Sequence, residues 1–520
     1  MRSKTFRIGG IHPDENKLSN DSVTKQAPLP KIAVYPLSQH IGAPAKAIVK
    51  EGDKVKVGTM IAEAGGFVSA NIFSSISGTV IKVGDAMDVS GAMKPCITVQ
   101  REGEGNIWEE SIDRSEKLER LESHPELTPE EIINRIKYAG VVGMGGACFP
   151  THVKLMPPPG AKAECVIING VECEPYITSD YRLMMEKPDQ LIEGLKILMA
   201  AVKVDKGYIG IEDNKPAAIT ELSEKLQRLG ISNIEVVPLK KKYPQGGEKQ
   251  LIDAVIGRQV PAPPAIPISV GAVVQNAGTA VAVYEAVMKR KPLFERYTTV
   301  TGKGLSNPSN YLVRMGTSFE ELINLCGGMP EGENKVLAGG PMMGRAVPSI
   351  EVPVGKGQNS ITILTGDDAK RKAPQPCIRC AKCVSVCPMG LEPFLLAKGT
   401  SMEKWDMLEQ EDITSCIECG SCQFTCPAHR PLLDDIRKGK GTVMGIIRSR
   451  TAPAAPAPAA KPAAGNDGTD KGAATEKKAM STEPKPFVTP VIDFSGAKQN
   501  PVAEIKAGPK PAIMPANWPK

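Results

Sequence analysis

CIRCAKCVSVCP, residues 377–388, and CIECGSCQFTCP, residues 416–427, are two copies of one spacing, C-x2-C-x2-C-x3-C-P. Three thiolates at that interval wrap one face of an iron–sulfur cubane. The fourth, turned away by the proline behind it, serves the other cluster. The spacing therefore predicts one [4Fe–4S] cluster on Cys377, Cys380, Cys383 and Cys426, and a second on Cys416, Cys419, Cys422 and Cys387. A pair of zinc ribbons is the competing reading, but it accounts for neither the third cysteine nor the proline of each copy. LEPFLLAK and SMEKWDMLEQ between the motifs read as helices, so 368–437 is expected to be a helical two-cluster domain. Ile378, Val384, Ile417 and Phe424 are the apolar residues expected to shield the clusters. Such a chain carries electrons.

Working outward, 520 residues leave room for three or four domains. Of 13 cysteines, eight belong to the motifs; Cys96, Cys148, Cys165, Cys173 and Cys326 are scattered, as free thiols in a reducing compartment are. MRSKTFRIGGIHPDENK has no apolar core of a secretory signal, and the most apolar run, 271–288, is interrupted by Gln275, Asn276 and Glu285. These features predict a cytoplasmic protein without a membrane span of its own. From Arg437 onward 14 Lys and Arg face 6 Asp and Glu, a net +8, so the remainder carries −2 of the total +6. A nearly neutral body argues against a nucleic-acid partner.

Residues 1–28 read as an extended N-terminal arm, GGIHPDENK included. AKAIVKEGDKVKVGTMIAEAGG (45–66) and NIFSSISGTVIKV (71–83) read as short strands with a turn at Gly52-Asp53. Over 29–101 they resemble the biotinyl/lipoyl barrel-sandwich fold. Where carrier members place a modified lysine, residues 63–71 hold none, so the expectation is a structural module with neither biotin nor lipoate. Residues 101–127 are charged and linking. Thr128-Pro129-Glu130-Glu131 then signals a helix start, with Thr at the N-cap and Pro at N1.

That helix runs into AGVVGMGGACFPTHVKL (139–155), whose glycines let a backbone approach a flat or phosphorylated ligand, with Lys154 offering charge. Alone, such a loop signals tight packing as often as a ligand. ECVIINGVECEP (164–175) follows as a buried strand ending in Asn169, Glu172 and Glu174. Helical and strand segments alternate from there to Met288, an α/β pattern with a largely parallel sheet. In such sheets ligands sit beyond the carboxyl ends of the strands.

Four blocks in one order then meet a family. GMGGACFPTHVK resembles the GRGGAGFPTGLKW loop of the flavin-bearing, NADH-oxidising subunit of respiratory complex I. NGVECEP resembles its NADESEP, YPQGGEKQL its YICGEETAL, and VVQNAGT its VNNVET. With the barrel-sandwich start and double cysteine motif, residues 1 to about 440 resemble the C subunits of Rnf complexes, membrane ferredoxin:NAD oxidoreductases coupled to ion translocation. The resemblance implies a Rossmann-like FMN and NAD(H) domain over 128–290. Its flavin-site residues would be Gly143, Gly145, Gly146, Lys154, Asn169, Glu172, Gly246, Glu248, Gln275, Asn276 and Thr279. Val171 replaces an aspartate of that family, Gly247 a glutamate and Cys148 a glycine. Glu174 is either a ligand contact or a helix N-cap acid. Residues 293–350 resemble the small β-grasp SLBB module, with Thr317 or Ser318 capping a helix, and Arg345 in AGGPMMGRAVPS (338–349) is a candidate phosphate contact. Residues 438–520, rich in Ala, Pro and Lys, are expected to be a disordered tail, with KPFVTPVIDFSG (485–496) a segment able to dock on a partner.

The family implies a subunit on the cytoplasmic face of the inner membrane, held there by partner subunits. It would exchange hydride between NAD(H) and FMN and pass single electrons through two [4Fe–4S] clusters. A general acid or base is not required, and no catalytic triad is present in the sequence. The alternatives are a non-catalytic electron wire, for which the missing carboxylates at Val171 and Gly247 argue, and a soluble flavoprotein resembling cobalamin reductases.

Overall fold

The N-terminal arm does not hang free. The computed structural model describes residues 2–451, and within it the arm runs through the junction of three domains. Its strand β1 (Lys25–Gln26) is an edge of a sheet whose other strands begin almost 270 residues later. Lys17 is half-buried, with its ammonium on the carbonyls of Glu172, Glu174 and Ile177 at 2.8, 2.9 and 2.6 Å. An ammonium has three donors, and here all three are used.

The barrel-sandwich region holds β2 (Ile32–Pro36), β3 (Lys46–Ala47), β4 (Lys54–Val55), β5 (Met60–Glu63), β6 (Ile72–Phe73), β7 (Gly78–Met87) and β8 (Met93–Arg101). Two sheets, ordered β2-β8-β7-β4 and β3-β5-β6, enclose Tyr35, Ile61, Ile72, Val80, Ile97 and Val99. Alternation along β8 turns Ile97 and Val99 inward, the period-2 pattern of a half-buried strand. The 63–71 stretch is tied down: Ser69 Oγ donates to Ala43 O at 2.8 Å, and Asn71 Nδ2 donates to Tyr138 O at 2.9 Å in the next domain.

The α/β domain opens with α1 (Pro129–Tyr138), where Thr128 Oγ1 accepts the Glu131 amide as expected. There follow α2 (Thr151–Lys154), β9 (Cys165–Asn169), α3 (Ser179–Glu186), α4 (Pro188–Ala201), β10 (Lys206–Glu212), α5 (Pro216–Arg228), β11 (Ile234–Leu239), α6 (Glu248–Ile256), β12 (Ala272–Asn276) and α7 (Ala277–Met288). The four strands are all parallel, in the order β11-β10-β9-β12. The chain winds from β9 out to β11 and then returns to the other side of β9. The β9/β12 seam is thus the point where strand order reverses, the place where open parallel sheets form a crevice.

The next sheet combines β1 with β13 (Glu295–Thr301), β14 (Ser309–Arg314), β15 (Asn334–Ala338), β16 (Arg345–Ala346) and β17 (Ser360–Thr365), in the order β1-β14-β13-β17-β15-β16. It extends past the expected boundary at 350, because β17 pairs with both β13 and β15 and fills the middle of the sheet. α8 (Phe319–Leu325) packs on it, and Ser318 rather than Thr317 is the cap, in a capping box with Glu321.

The last domain is helical: α9 (Lys382–Ser385), α10 (Pro393–Ser401), α11 (Trp405–Gln410), α12 (Ser421–Phe424) and α13 (Leu432–Thr451). The expected end of order at 438 is corrected here, since α13 runs on to Thr451. Leu432, Ile436 and Val443 recur on one face and join Leu396, Leu408 and Ile413 in a core. The rest of the expected tail, 452–520 with KPFVTPVIDFSG, lies outside the described residues. No helix among the described residues is long and apolar enough to cross a membrane.

Candidate functional site

The two cysteine motifs fold alike because their sequences repeat. Arg379 and Glu418, each two residues past the first cysteine, both have φ of 56°, and Ala381 and Gly420 take left-handed values of 56° and 77° at the next equivalent position. Successive reversals of this kind bring cysteines two residues apart onto one side of the backbone. Cys387, Cys416, Cys419 and Cys422 line one apolar cavity, together with Leu396 and Ile436. These are the four residues assigned to the second cluster. Burial, with neighbouring thiols adding to it, raises the Cys422 thiol and pushes Cys416 up to about 11. Thiols this crowded and this far from water suit a cluster that binds them deprotonated. The Leu391 amide donates to Cys387 Sγ at 3.3 Å and the Glu418 amide to Cys416 Sγ at 3.4 Å, hydrogen bonds of the kind that tune such clusters.

The first set lies nearer the surface. Cys383 and Cys426 are half-buried neighbours, and Cys377 and Cys380 stand on an exposed segment that the Gln375 amide pins to Ala428 O at 2.8 Å. The expected shielding is corrected in part: Ile417 lines the second cavity, but Ile378 and Phe424 are exposed, at 67% and 56%.

The second cavity abuts the α/β domain. Tyr243, just before α6, donates its hydroxyl to Cys419 O at 2.7 Å and lies 3.3 Å from Glu174 Oε2. From α6 itself, Gln250 Nε2 reaches Pro388 O at 3.2 Å. Glu174 is not the N-cap of the following helix, a position that Thr178 takes. The other carboxyl oxygen of Glu174 accepts the amides of Met342 and Met343 at 2.7 and 3.1 Å, bracing the 338–349 loop. Arg345, on that loop, is exposed.

Most of the expected flavin residues converge at the carboxyl end of the β9/β12 seam. Asn169 and Asn276 are register partners there. Asn276 caps α7 by accepting the Thr279 amide, and Thr279 Oγ1 accepts the Met144 amide at 2.9 Å, which docks the glycine turn on α7. Asn169 Nδ2 donates to Gly246 O at 2.8 Å. A Cβ on Gly145 would lie 3.5 Å from Asn276, and one on Gly146 (φ 108°) would meet nothing within 4 Å. Glu172 accepts the Asp180 and Tyr181 amides at 2.7 and 3.3 Å.

Two residues behave differently from expectation. Lys154 Nζ is held by Glu248 at 2.5 Å and Val274 O at 3.1 Å, so its charge is balanced within the chain. Gln275 points away from Asn276 on the other face of β12 and is buried, with its Nε2 unpartnered. At the positions of the missing carboxylates, Val171 is fully buried in the apolar core beside β9, and Gly247 lies against the Gln250 side-chain oxygen.

Sequence reasoning missed Asp180 and Arg296. Asp180 Oδ2 accepts Asn276 Nδ2 at 2.6 Å, and burial, then Glu172 beside it, pushes its carboxyl up to about 7. Arg296, on β13, reaches the Met144 carbonyl at 3.1 Å. An acid at a helix start gave no signal beyond ordinary dipole placement, and the arginine lies over 100 residues downstream.

The residues present fit a flavin nucleotide. The amides of Gly145, Gly146 and Ala147 make no hydrogen bond to the described residues, and the turn that carries them is held over the seam by Thr279. Asp180 also yields a pH prediction. Its carboxyl binds a proton in the folded state between about pH 4 and 7 that the unfolded chain releases. The stability this proton confers is therefore lost progressively as pH rises from about 4 to 7 and is gone above 7. Asp180→Asn, permanently neutral, should melt above the unsubstituted chain at pH 8 and close to it at pH 5. Equal gaps at both pH values would refute the shift.

Models of known families match the chain in the order of its domains. The RnfC barrel sandwich hybrid domain matches residues 4–104, the Nuo51 FMN-binding domain 136–285, the SLBB domain 297–346 and the 4Fe-4S dicluster domain 376–441. The Clostridium ljungdahlii protein named as the C subunit of a proton-translocating ferredoxin:NAD(+) oxidoreductase complex is 43% identical, over 76% of this chain and 84% of its own length. Its Acetobacterium woodii counterpart, named for a Na(+)-translocating complex, is 42% identical, over 86% and 99%. That degree of identity over nearly the whole described chain, with the four domain models in sequence, places the chain in the family of C subunits of ion-translocating ferredoxin:NAD(+) oxidoreductase (Rnf) complexes.

Proposed function

We propose that this chain is the peripheral electron-transfer subunit of a membrane-bound, ion-translocating ferredoxin:NAD+ oxidoreductase, placed by its partner subunits on the cytoplasmic face of the inner membrane. FMN, when bound, divides the two electrons of a hydride into the single electrons that iron–sulfur clusters accept. The chain's own residues supply the rest. Gly143, Gly145, Gly146, Asn169, Asn276 and Thr279 shape the flavin cradle. Glu172 with Asp180 keeps two carboxyl groups at its edge, where NAD(H) would be received. Lys154 and Glu248 close the side of the cradle as a pair, and Gly246 is tied to it through Asn169, while Gln275 lies behind it on the other face of β12.

The observation that carries this reading is adjacency. The cavity of Cys387, Cys416, Cys419 and Cys422 is joined to the flavin domain through Tyr243 and Gln250. Electron exchange between neighbouring centres needs such close packing and little else. The wire alternative drew on lost carboxylates, and Asp180 beside Glu172 supplies a second carboxyl group. The two relatives are named for different ions at nearly equal identity, so the choice of ion belongs to the other subunits.

The test is an anaerobic NADH titration of the purified chain, followed in the visible spectrum after its non-covalent flavin has been assayed. Flavin and cluster bands should bleach together. Intact clusters in a chain that carries no flavin and takes up no added FMN would refute the proposal.

A further inference from the structure

The flavin reading leaves one charge unaccounted for. Lys154, the cation expected at an anionic nucleotide, is already paired with Glu248. Beneath the glycine turn stands a different cation. Arg296 is 3% exposed and comes from the sheet of the SLBB-like domain. Its hydrogen bonds go to carbonyls: Met144 O at 3.1 Å, Tyr297 O at 3.2 Å, and Lys356 O. A buried guanidinium satisfied by neutral oxygens keeps its full desolvation cost unless an anion is near. Asp180 is the carboxylate facing it, and that group is itself pushed toward its neutral form.

The surrounding contacts fix the arginine's position. Lys356, whose carbonyl Arg296 holds, is buried and donates its own ammonium to Gly140 O at 2.7 Å and Asn71 O at 2.6 Å. Gly140 ends α1 and begins the glycine segment. Arg296 from β13 and Lys356 from the turn that leads into β17 therefore grip that segment at Met144 and at Gly140.

We propose that Arg296 is a positioning residue for the flavin site: its guanidinium fork fixes the Met144 carbonyl, and so the free amides that follow it, and its charge lies beneath the anionic nucleotide. This assigns the SLBB-like domain a part in cofactor binding that it performs from behind the turn. The inference rests on the flavin reading above. A lysine is a poor substitute, since a single ammonium lacks the planar fork that spans two carbonyls.

The experiment measures FMN affinity by fluorescence quenching and the flavin midpoint potential by redox titration, in the full chain with its clusters. Arg296→Gln should bind FMN about tenfold more weakly, the loss expected for one charge-assisted hydrogen bond. Its flavin potential should move to more negative values, because a cation that favours the reduced anionic flavin has been removed. Arg314→Gln is the control. Arg314 is equally buried in the same sheet but serves Glu295 at 2.9 Å and Ser75 O at 2.8 Å, away from the turn. It should leave FMN affinity unchanged even where it lowers the melting temperature.

Arg296→Gln with the original affinity and potential would overturn the proposal. So would an equal loss of affinity in Arg314→Gln, since the effect would then be one of general stability. If Arg296→Gln does not fold, Arg296→Lys is read in its place, with weaker FMN binding expected and undiminished binding again refuting. An unsubstituted chain that fails to take up FMN would sink the flavin reading itself, a result separate from these.

Discussion

Cys422→Ser is expected to halve the iron and sulfide content of the anaerobically purified chain and to stop electron delivery beyond the flavin domain. Cys422 is buried among Leu396, Leu432 and Ile436, and its thiol shares one cavity with Cys387, Cys416 and Cys419. A serine hydroxyl is a harder ligand that does not deprotonate at such a site, so the cluster loses its fourth anchor. NADH-dependent reduction of ferricyanide, which draws electrons from flavin, should persist. Reduction of the remaining cluster by NADH should fall by orders of magnitude. Cys380→Ser, on the exposed segment, should also remove one cluster but leave flavin-to-second-cluster transfer intact. Full iron content in Cys422→Ser, or identical defects in both variants, would refute the ligand sets or their arrangement.

Gly9→Val is expected to have the second large effect, on assembly rather than on a ligand. Gly9 has a φ of 64°, and a Cβ there would lie 2.5 Å from Cys387 O and 2.6 Å from Val386 O. The left-handed backbone alone costs a branched residue roughly 1–2 kcal/mol. The clash falls on backbone that cannot move without displacing a cluster cysteine. Relief therefore comes by lifting the arm, which breaks Gly10 N to Val386 O at 2.9 Å and the paired bonds of Ile11 with Tyr243 at 2.8 and 2.9 Å. With the arm goes the clamp joining the second cluster to the α/β domain. A fall in melting temperature of about 10 °C, together with loss of the second cluster's spectroscopic signal, is the expected result. Gly52→Ala serves as the control: its φ is 93° but nothing lies within 4 Å, so it should cost only about 1 kcal/mol. Equal stability of Gly9→Val and Gly52→Ala would show that the arm does not clamp the domains.

The arm illustrates why part of this architecture was illegible in the chain. GGIHPDENK has no periodic apolar pattern, so a local reading gives only extended backbone. Gly9 matters because of Cys387, Gly10 because of Lys242 and Tyr243, and Lys17 because of three carbonyls near Glu172, partners that no sequence spacing connects. The same holds for Glu174, whose acid partners two methionine amides 168 and 169 residues away. Ile378 and Phe424 show the opposite error, where apolar character near a cluster was equated with cover.

Local sequence was enough to specify the spacing of the cysteines within each motif, the individual helices and strands of the α/β domain, the helix cap at Thr128 and the glycine turn. All of these are short-range: covalent spacing, backbone freedom and 2- or 3.6-residue periodicity act within a dozen residues. Which charges remain available at the site was settled by packing instead. Lys154 is balanced by Glu248, while Asp180 and Arg296 reach the site as α3 packs on α7 and β13 packs on α3. Electrostatic balance depends on distance and burial, and both are properties of the folded chain.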